Sequence, residues 1–147
     1  MRLKVGWIGK GRDPSYQALT QEYLKRVARY APIEGLEFKV ESALLKATGK
    51  QGRPPASTLV LLESTGRQFS SEELAKFLGE QGERGSRPLF FAIGPADGFG
   101  EEARQVTDFT LSLGKLTLAH ELARVVLLEQ LYRAFTILAG HPYHRGH

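Results

Sequence analysis

The alternation of apolar stretches along the chain predicts five strands and four helices in a repeating order. Short runs rich in β-branched, aromatic or leucine side chains predict strands at residues 2–9, 36–40, 58–62, 88–93 and 109–113. Helical spacing predicts helices at residues 14–30, 70–79, 101–106 and 118–139, with residues 47–57 as a basic loop. The runs at 58–62 and 88–93 are apolar throughout, which is typical of strands buried on both faces. The pattern therefore predicts one α/β domain over residues 1–147 with a mostly parallel sheet flanked by helices.

The ends of three predicted strands indicate where a ligand would bind. In parallel sheets, ligands lie outside the carboxyl ends of the strands. The loops that follow Leu62, Ile93 and Leu113 all begin at such ends. Together they predict a pocket.

The longest predicted helix, residues 118–139, is apolar around most of its circumference. Such a helix is buried on nearly every face, and in a domain of this size the pattern predicts a second copy of the chain as one partner. Its charged residues His120, Arg124, Glu129 and Arg133 then need partners. Glu129 and Arg133 have the spacing of an internal ion pair, but Arg133 is equally suited to a substrate or a neighbouring subunit.

Composition narrows the range of functions. The chain has no cysteine, which excludes a disulfide scaffold, thiol catalysis and an iron–sulfur cluster. No apolar run approaches the length of a membrane span, and the first residues lack the pattern of a signal peptide, so we expect a cytoplasmic protein without a membrane partner. The net charge of +4 is concentrated in the first third, which favours an anionic partner such as nucleic acid.

The C-terminal residues 141–147 combine imidazole, phenol and guanidinium groups. Tyr143, His144 and Arg145 are residue types that stack on bases and contact phosphates. Histidines in a flexible terminus lack the fixed geometry that a metal site needs, so no metal is predicted. Because Gly140 and Pro142 end the helix, the segment is expected to leave the packed core and to matter little for stability.

Three segments carry a resemblance to a known family. They are residues 111–120 (LSLGKLTLAH), residues 124–134 (RVVLLEQLYRA) and residues 141–144 (HPYH). With the opening strand, Leu62-Glu63 and Ile93-Gly94, they make the chain similar from end to end to the RlmH family of the SPOUT superfamily. Members of this family methylate 23S rRNA. The resemblance implies a trefoil-knotted α/β fold and a homodimer that binds S-adenosyl-L-methionine.

The same resemblance implies the site residues. The cofactor-binding residues would be Leu62, Gly94, Leu113, Gly114, Lys115, Leu116, Thr117 and Leu118. The substrate would be N3 of pseudouridine 1915 in the 23S rRNA of the assembled 70S ribosome. Catalysis would need a proton acceptor, either His144 or His120, with Tyr143 as a clamp and Arg133 and Arg145 as phosphate or oxyanion partners.

Two positions depart from the family pattern. Pro95 stands where the family usually has glycine, which removes a backbone N–H from the predicted cofactor loop. Ala119 stands where the family tends to have proline. The departure at Pro95 leaves a second reading open, a non-catalytic RNA- or ribosome-binding domain of the same fold.

Overall fold

The computed structural model describes residues 1–9 and 12–146. Within them the chain forms five strands, five α-helices and a terminal 3₁₀ turn. The strands are β1 (Leu3–Ile8), β2 (Ile33–Phe38), β3 (Thr58–Gln68), β4 (Leu89–Ile93) and β5 (Phe109–Ser112). The helices are α1 (Pro14–Ala28), α2 (Glu41–Thr48), α3 (Ser71–Arg84), α4 (Glu101–Val106) and α5 (His120–Ala139), and the 3₁₀ turn is His144–Gly146.

The five strands form one sheet in the order β2-β1-β4-β3-β5, and every strand pair in it is parallel. This confirms the predicted α/β class. Alternate residues of the central strands point to opposite faces, so the sheet separates two apolar layers. Phe91 belongs to the layer under α1, α3 and α5, whereas the adjacent Phe90 belongs to the layer under α2 and α4.

The local start and stop signals of the helices act as the sequence predicts. Asp13 accepts a hydrogen bond from the Ser15 N–H at the start of α1 (2.8 Å). Ser70 and Glu73 form the reciprocal capping box of α3. Gly140 ends α5 in the left-handed conformation.

One helix was missed, and several boundaries differ from the prediction, among them the end of α3, which lies at Arg84 and not at residue 79. Helix α2 was missed because its eight residues are too few to show helical periodicity, although Leu44 and Leu45 bury their side chains. Strand β2 begins at Ile33, ahead of the predicted start. Strand β3 continues past Leu62 to Gln68, because Arg67 and Gln68 pair with β5 after a break in register.

The basic loop before β3 is less available than its composition suggests. Lys50 forms an ion pair with Asp108 (2.7 Å), and its side chain is only 9% exposed. Lys50 therefore holds the start of β5 and is not a free contact for nucleic acid.

Helix α5 is buried by its own chain. Nine of its residues are buried, and the helix packs against α1, α3 and the sheet. The apolar surface of α5, from which a second copy is predicted, is thus covered by other elements of the same chain. Within the described residues, no helix is long and apolar enough to span a membrane.

Candidate functional site

A cavity of about 370 Å³ opens at the carboxyl ends of β4 and β5 and beside the middle of β3. The loops that follow Ile93 and Leu113 bound it, as the strand-end argument predicts, whereas its third wall, residues 62–65, is the part of β3 where the register breaks and not the predicted loop. Of the residues predicted to bind a cofactor or to act beside it, those that line the cavity are Leu62, Gly94, Leu113, Gly114, Leu116, Thr117, Leu118 and His120. Lys115, which was also predicted to bind the cofactor, is not among the lining residues.

The walls combine apolar and polar side chains, and one apolar side chain at the rim is unusually exposed. Leu62, Leu111 and Leu113 contribute aliphatic surface from strand ends and loops. Leu116 lines the cavity and is 84% exposed, the largest exposure of any large apolar side chain in the described part of the chain. Such a side chain leaves water only when a ligand or another chain covers it.

Charged groups line one side of the cavity. Glu63 accepts a hydrogen bond from Arg104 Nε (3.1 Å), and its side chain is only 9% exposed. Asp97 adds a second carboxylate from the loop after β4. The sequence prediction missed Arg104 and Asp97 as lining residues. Arg104 lies in α4, so only the packing of that helix brings it to Glu63.

Two glycines allow close packing between the elements that surround the cavity. A Cβ on Gly66 would lie 2.8 Å from the backbone of Thr110 and Leu111, so only glycine allows β3 to approach β5 there. A Cβ on Gly94 would lie 3.1 Å from the Phe99 ring. A side chain at Gly94 would therefore press first on the core, and the backbone of Gly94 is what faces the cavity.

Pro95 takes part in the turn that shapes the cavity. The Gly98 N–H donates to the Pro95 carbonyl (2.9 Å), which closes a tight turn over residues 95–98. Pro95 lines the cavity but has no N–H to offer a ligand.

His120 is the first residue of α5 and lines the cavity. Its Nε2 lies 3.6 Å from the position that a Cβ on Gly9 would occupy, so the ring lies next to the end of β1. His120 is thus the histidine that the fold brings to the cavity of its own chain.

A second cluster, which we call the tail cluster, consists of Glu72, Glu129, Arg133, Tyr143 and His144. Arg133 Nη2 donates to Glu129 Oε2 (2.8 Å), and the Tyr143 hydroxyl donates to the same oxygen (2.9 Å). The Arg133 guanidinium carbon also lies 5.0 Å from the centre of the Tyr143 ring. The predicted Glu129–Arg133 ion pair is confirmed, and it anchors the C-terminal segment.

The hydrogen bonds of the tail cluster fix the protonation of its ring groups. Arg133 Nη1 lies 3.0 Å from His144 Nδ1, and since a guanidinium only donates, Nδ1 accepts. The Nε2 of His144 then carries the proton and donates to Glu72 Oε1 (2.7 Å). Burial and the bond to Glu129 raise the pKa of Tyr143 far above its ordinary value, so the phenol is a neutral donor at pH 7 and not a base.

The C-terminal segment does not leave the core, contrary to the expectation from Gly140 and Pro142. The Tyr143 ring packs edge-on against Tyr132 with 4.7 Å between centroids. Helix α5 ends at Gly140 as predicted, but the aromatic contact and the hydrogen bonds to α5 hold the following segment against the core. Arg145 is exposed, and its backbone N–H donates to the Pro142 carbonyl (3.1 Å). His147 lies outside the described residues.

Arg133 of the tail cluster and His120 of the cavity are far apart in one chain. Both lie on α5, and thirteen residues at 1.5 Å per residue separate their backbones by about 20 Å. Arg133, Tyr143 and His144 are not among the residues that line the cavity, although a smaller pocket lined by Ser70 and Gln130 shares Leu113 and Gly114 with it.

Comparison with known proteins gives the family. A family model described as predicted SPOUT methyltransferase matches residues 1–144. A Koribacter versatilis protein named ribosomal RNA large subunit methyltransferase H is 56% identical over the full length of both chains. A Geobacter protein of the same name is 40% identical over 98% of this chain and 99% of its own.

The fold comparison agrees with the sequence comparison. A Legionella pneumophila protein solved in complex with its bound cofactor SAM has a TM-score of 0.51 and 13% identity, over 91% of this chain and 66% of that protein. At this identity the likeness concerns the fold alone. On the full-length sequence matches, the chain belongs to the SPOUT methyltransferase family, in the group of ribosomal RNA large subunit methyltransferases H.

Proposed function

We propose that this protein transfers a methyl group from S-adenosylmethionine to N3 of pseudouridine 1915 in the 23S rRNA of the assembled 70S ribosome. The observation that carries the proposal is the 56% identity, over the whole of both chains, to a protein named as a methyltransferase of large-subunit rRNA. The cavity at the strand ends supports it with a site of the right size and chemistry.

The lining of the cavity fits S-adenosylmethionine. A volume of about 370 Å³ lies within the range of small-molecule sites. Leu62, Leu116 and Leu118 can enclose the adenine ring, while the Thr117 hydroxyl and the loop backbone can bond its polar edges and the ribose. Glu63 is already paired with Arg104, so the Asp97 carboxylate is the group that favours a cationic ligand such as this sulfonium compound.

The protein must position the base and remove one proton. S-adenosylmethionine, when bound, supplies a methyl group that is already strongly electrophilic, so most of the catalytic demand is alignment. The N3–H of the base must be lost, which calls for an acceptor close to that nitrogen. His120 lies in the same chain's cavity and is the acceptor that one subunit offers by itself.

The tail cluster offers a different set of groups for the same task. Glu129 is a carboxylate already held by Arg133 and Tyr143, and the Arg133 guanidinium can stabilise negative charge on an imide carbonyl. His144 Nδ1 accepts a hydrogen bond from Arg133 in the free chain, so it becomes available only when Arg133 turns to a substrate.

The distance between these groups supports a homodimer. Because about 20 Å of helix separates Arg133 from His120, these two side chains can act on one bound base only if the tail cluster faces the cavity of a second copy. The dimer is thus proposed from the separation of two clusters, and no longer from an apolar helix face. Sedimentation at micromolar concentration should give about twice the 16.3 kDa chain mass, and a monomer would exclude a shared site.

Pro95 favours one other candidate function, a ribosome-binding protein without methyl transfer. The cavity loop has lost one backbone N–H there, and an acceptor atom of the cofactor would lack that donor. Calorimetric titration with S-adenosylmethionine separates the two. Saturable binding supports the enzyme, and no binding to the folded protein supports the alternative.

The activity itself can be measured with labelled S-adenosylmethionine and 70S ribosomes from cells that lack this methyl group. We expect about one methyl group per ribosome, located by mass spectrometry on N3 of the pseudouridine. Ribosomes that already carry the methyl group are the control and should take up none. Labelling at another nucleotide, or none with a protein that binds the cofactor, would refute the proposal.

A further inference from the structure

The smaller pocket beside the cavity has a volume of about 220 Å³ and lies between the start of α3, the end of β5 and the middle of α5. Phe69, Leu74 and Val126 give it apolar walls. Gln130 adds an amide to the lining. Ser70, which also lines the pocket, is exposed, so the pocket opens to solvent. Its volume lies below the range of sites for drug-sized ligands and fits a single-ring base.

The smaller pocket and the cavity share a wall. Leu111, Leu113 and Gly114 line both of them. A Cβ placed on Gly114 would meet no atom within 4 Å, so the shared wall is open at this residue. Helix α5 also runs along both, since Ala123 lines the cavity and Gln130 lines the smaller pocket about 10 Å further along the helix. A ring with one edge at Gln130 can therefore present another edge to a cofactor in the cavity.

The Gln130 amide is held in one orientation. Its Nε2 donates to Glu129 Oε1 (2.8 Å), and since a carboxylate only accepts, the amide nitrogen is the atom that faces Glu129. Its Oε1 accepts from the Ser71 hydroxyl (2.6 Å). These bonds use one amide hydrogen and one oxygen lone pair, and a primary amide has a second of each. Gln130 can therefore donate to a ligand and accept from it at the same time.

Phe69 and Arg67 add features that favour a nucleotide. Phe69 lines the smaller pocket, and aromatic rings stack on bases. The Arg67 guanidinium carbon lies 4.7 Å from the centre of the Phe69 ring, and Arg67 is exposed. A cation at this position can contact a phosphate outside the pocket while the base lies inside it. An aromatic ring, an amide and a cation are together typical of a site for an unpaired RNA base.

We propose that the smaller pocket receives the target base and that Gln130 distinguishes pseudouridine from uridine. Pseudouridine is joined to its ribose through C5 and keeps an N1–H, whereas uridine is joined through N1 and has no hydrogen there. The N1–H and the adjacent O2 form a donor and acceptor pair that one amide can contact through both of its polar atoms, as glutamine does with adenine. N3 lies on the other side of O2 and stays free for methylation. This inference rests on the proposed function, which supplies the cofactor and the target.

The wild-type protein provides the first test, with 70S ribosomes that carry either pseudouridine or uridine at the target position and no methyl group there. Its kcat/KM should be at least tenfold higher on the pseudouridine ribosomes, a difference of about 1.4 kcal/mol. A site that accepts from an N–H rejects the analogue without it, because the polar groups of the site are then left unpaired. Equal rates on the two kinds of ribosome would overturn the proposal, whether or not variants fold.

Gln130→Met assigns the preference to one side chain, because it removes both polar atoms of the amide and keeps a side chain of similar length. It should bring the ratio of the two kcat/KM values close to one, with S-adenosylmethionine affinity within about twofold of the wild type. If Gln130→Met slows both reactions equally and keeps the ratio, its role is structural and the proposal is wrong. Gln81→Met, half-buried on α3 and outside both pockets, is the matched control and should keep the wild-type ratio.

A binding measurement separates this proposal from the proposed function. With S-adenosylhomocysteine in place of the methyl donor no methyl group can be transferred, and cosedimentation gives the affinity for each kind of ribosome. If the wild type binds pseudouridine ribosomes more tightly and Gln130→Met does not, but no methyl transfer occurs with the donor, the pocket is supported and the methyltransferase activity is refuted. If methyl transfer is equally fast on both bases, the activity is supported and the role of Gln130 is wrong.

Discussion

Tyr143 joins the C-terminal segment to α5 through one hydroxyl and one ring. The hydroxyl donates to Glu129 and the ring packs on Tyr132, so a residue that follows two helix-ending signals still belongs to the packed structure. The sequence identified Tyr143 as a functional candidate. It gave no sign of this packing, because an edge-on ring contact between residues eleven positions apart leaves no periodic pattern.

Replacing Tyr143 with phenylalanine should lower the free energy of unfolding by about 1.5 kcal/mol at neutral pH, because Glu129 loses a donor to a charged acceptor. Chemical denaturation measures this. Tyr30→Phe is the matched control, since the Tyr30 ring also stacks on α5 but its hydroxyl makes no hydrogen bond in the described residues. An equal loss in both variants would contradict a specific role for the Tyr143 hydroxyl.

The Tyr143→Phe substitution should also change how the stability of the protein depends on pH above pH 10. The pKa of Tyr143 in the folded protein lies above its ordinary value of 10.0, because burial and Glu129 disfavour the phenolate. Its contribution to stability is therefore complete below pH 10 and is lost as pH rises towards the folded-state pKa. Tm measured against pH should fall less steeply above pH 10 in Tyr143→Phe than in the wild type, and parallel curves would exclude this assignment.

At the scale of elements, the loop after β5 exposes the Leu116 side chain, whereas the ends of β4 and β5 beneath it are buried. Leu116→Ser should leave stability unchanged within about 0.5 kcal/mol. It should weaken S-adenosylmethionine binding at least tenfold, because an apolar contact worth about 1.5 kcal/mol is lost from the complex. Calorimetry measures the affinity.

The control for Leu116 is Leu138→Ser, at the far end of α5, where the leucine is 50% exposed and does not line the cavity. Its cofactor affinity should equal that of the wild type. Equal affinities in both variants would show that the loop after β5 does not cover the ligand.

Removal of residues 143–147 tests the C-terminal segment as an element. The truncated chain should lose about 2 kcal/mol of stability, since it forfeits the ring burial and the hydrogen bond of Tyr143. Its cofactor affinity should remain, because the cavity does not include these residues, and its methyl transfer should be lost. If the truncated chain were as stable as the wild type in a denaturant titration, the C-terminal segment would not contribute to the packed structure, which is what the sequence predicts.

The sequence predicts the parts of this structure that local patterns encode. The apolar runs of β3 and β4, the caps of α1 and α3 and the loops after Ile93 and Leu113 all follow from residues close together in the chain. Helix α2 and the extension of β3 to Gln68 could not be predicted in this way. Helix α2 is too short to show a helical period, and the extension of β3 depends on pairing with a distant strand. The Glu63–Arg104 contact and the enclosure of Arg124 also depend on long-range packing. The trefoil knot, implied by the family resemblance, stays a prediction.

At the scale of the whole molecule, α5 organises the two candidate sites. Its first residue lines the cavity, and its middle carries Glu129 and Arg133 of the tail cluster. Because one rigid helix holds His120 and Arg133 about 20 Å apart, a single chain does not bring these two side chains to one base. The proposed enzyme therefore needs two copies, in which the tail cluster of each chain faces the cavity of the other.

Mixing two inactive variants tests this claim most directly. Ala96→Trp should block the cavity from its exposed rim while leaving the tail cluster intact, and Arg133→Met should disable the tail cluster while leaving the cavity intact. Each variant alone should methylate no 23S rRNA. After the two are mixed and allowed to exchange subunits, each mixed dimer holds one open cavity and one intact tail cluster, on different chains, so methyl transfer to ribosomes should return. If differently tagged chains copurify but the mixture stays inactive, or if either variant is active alone, the shared site is contradicted.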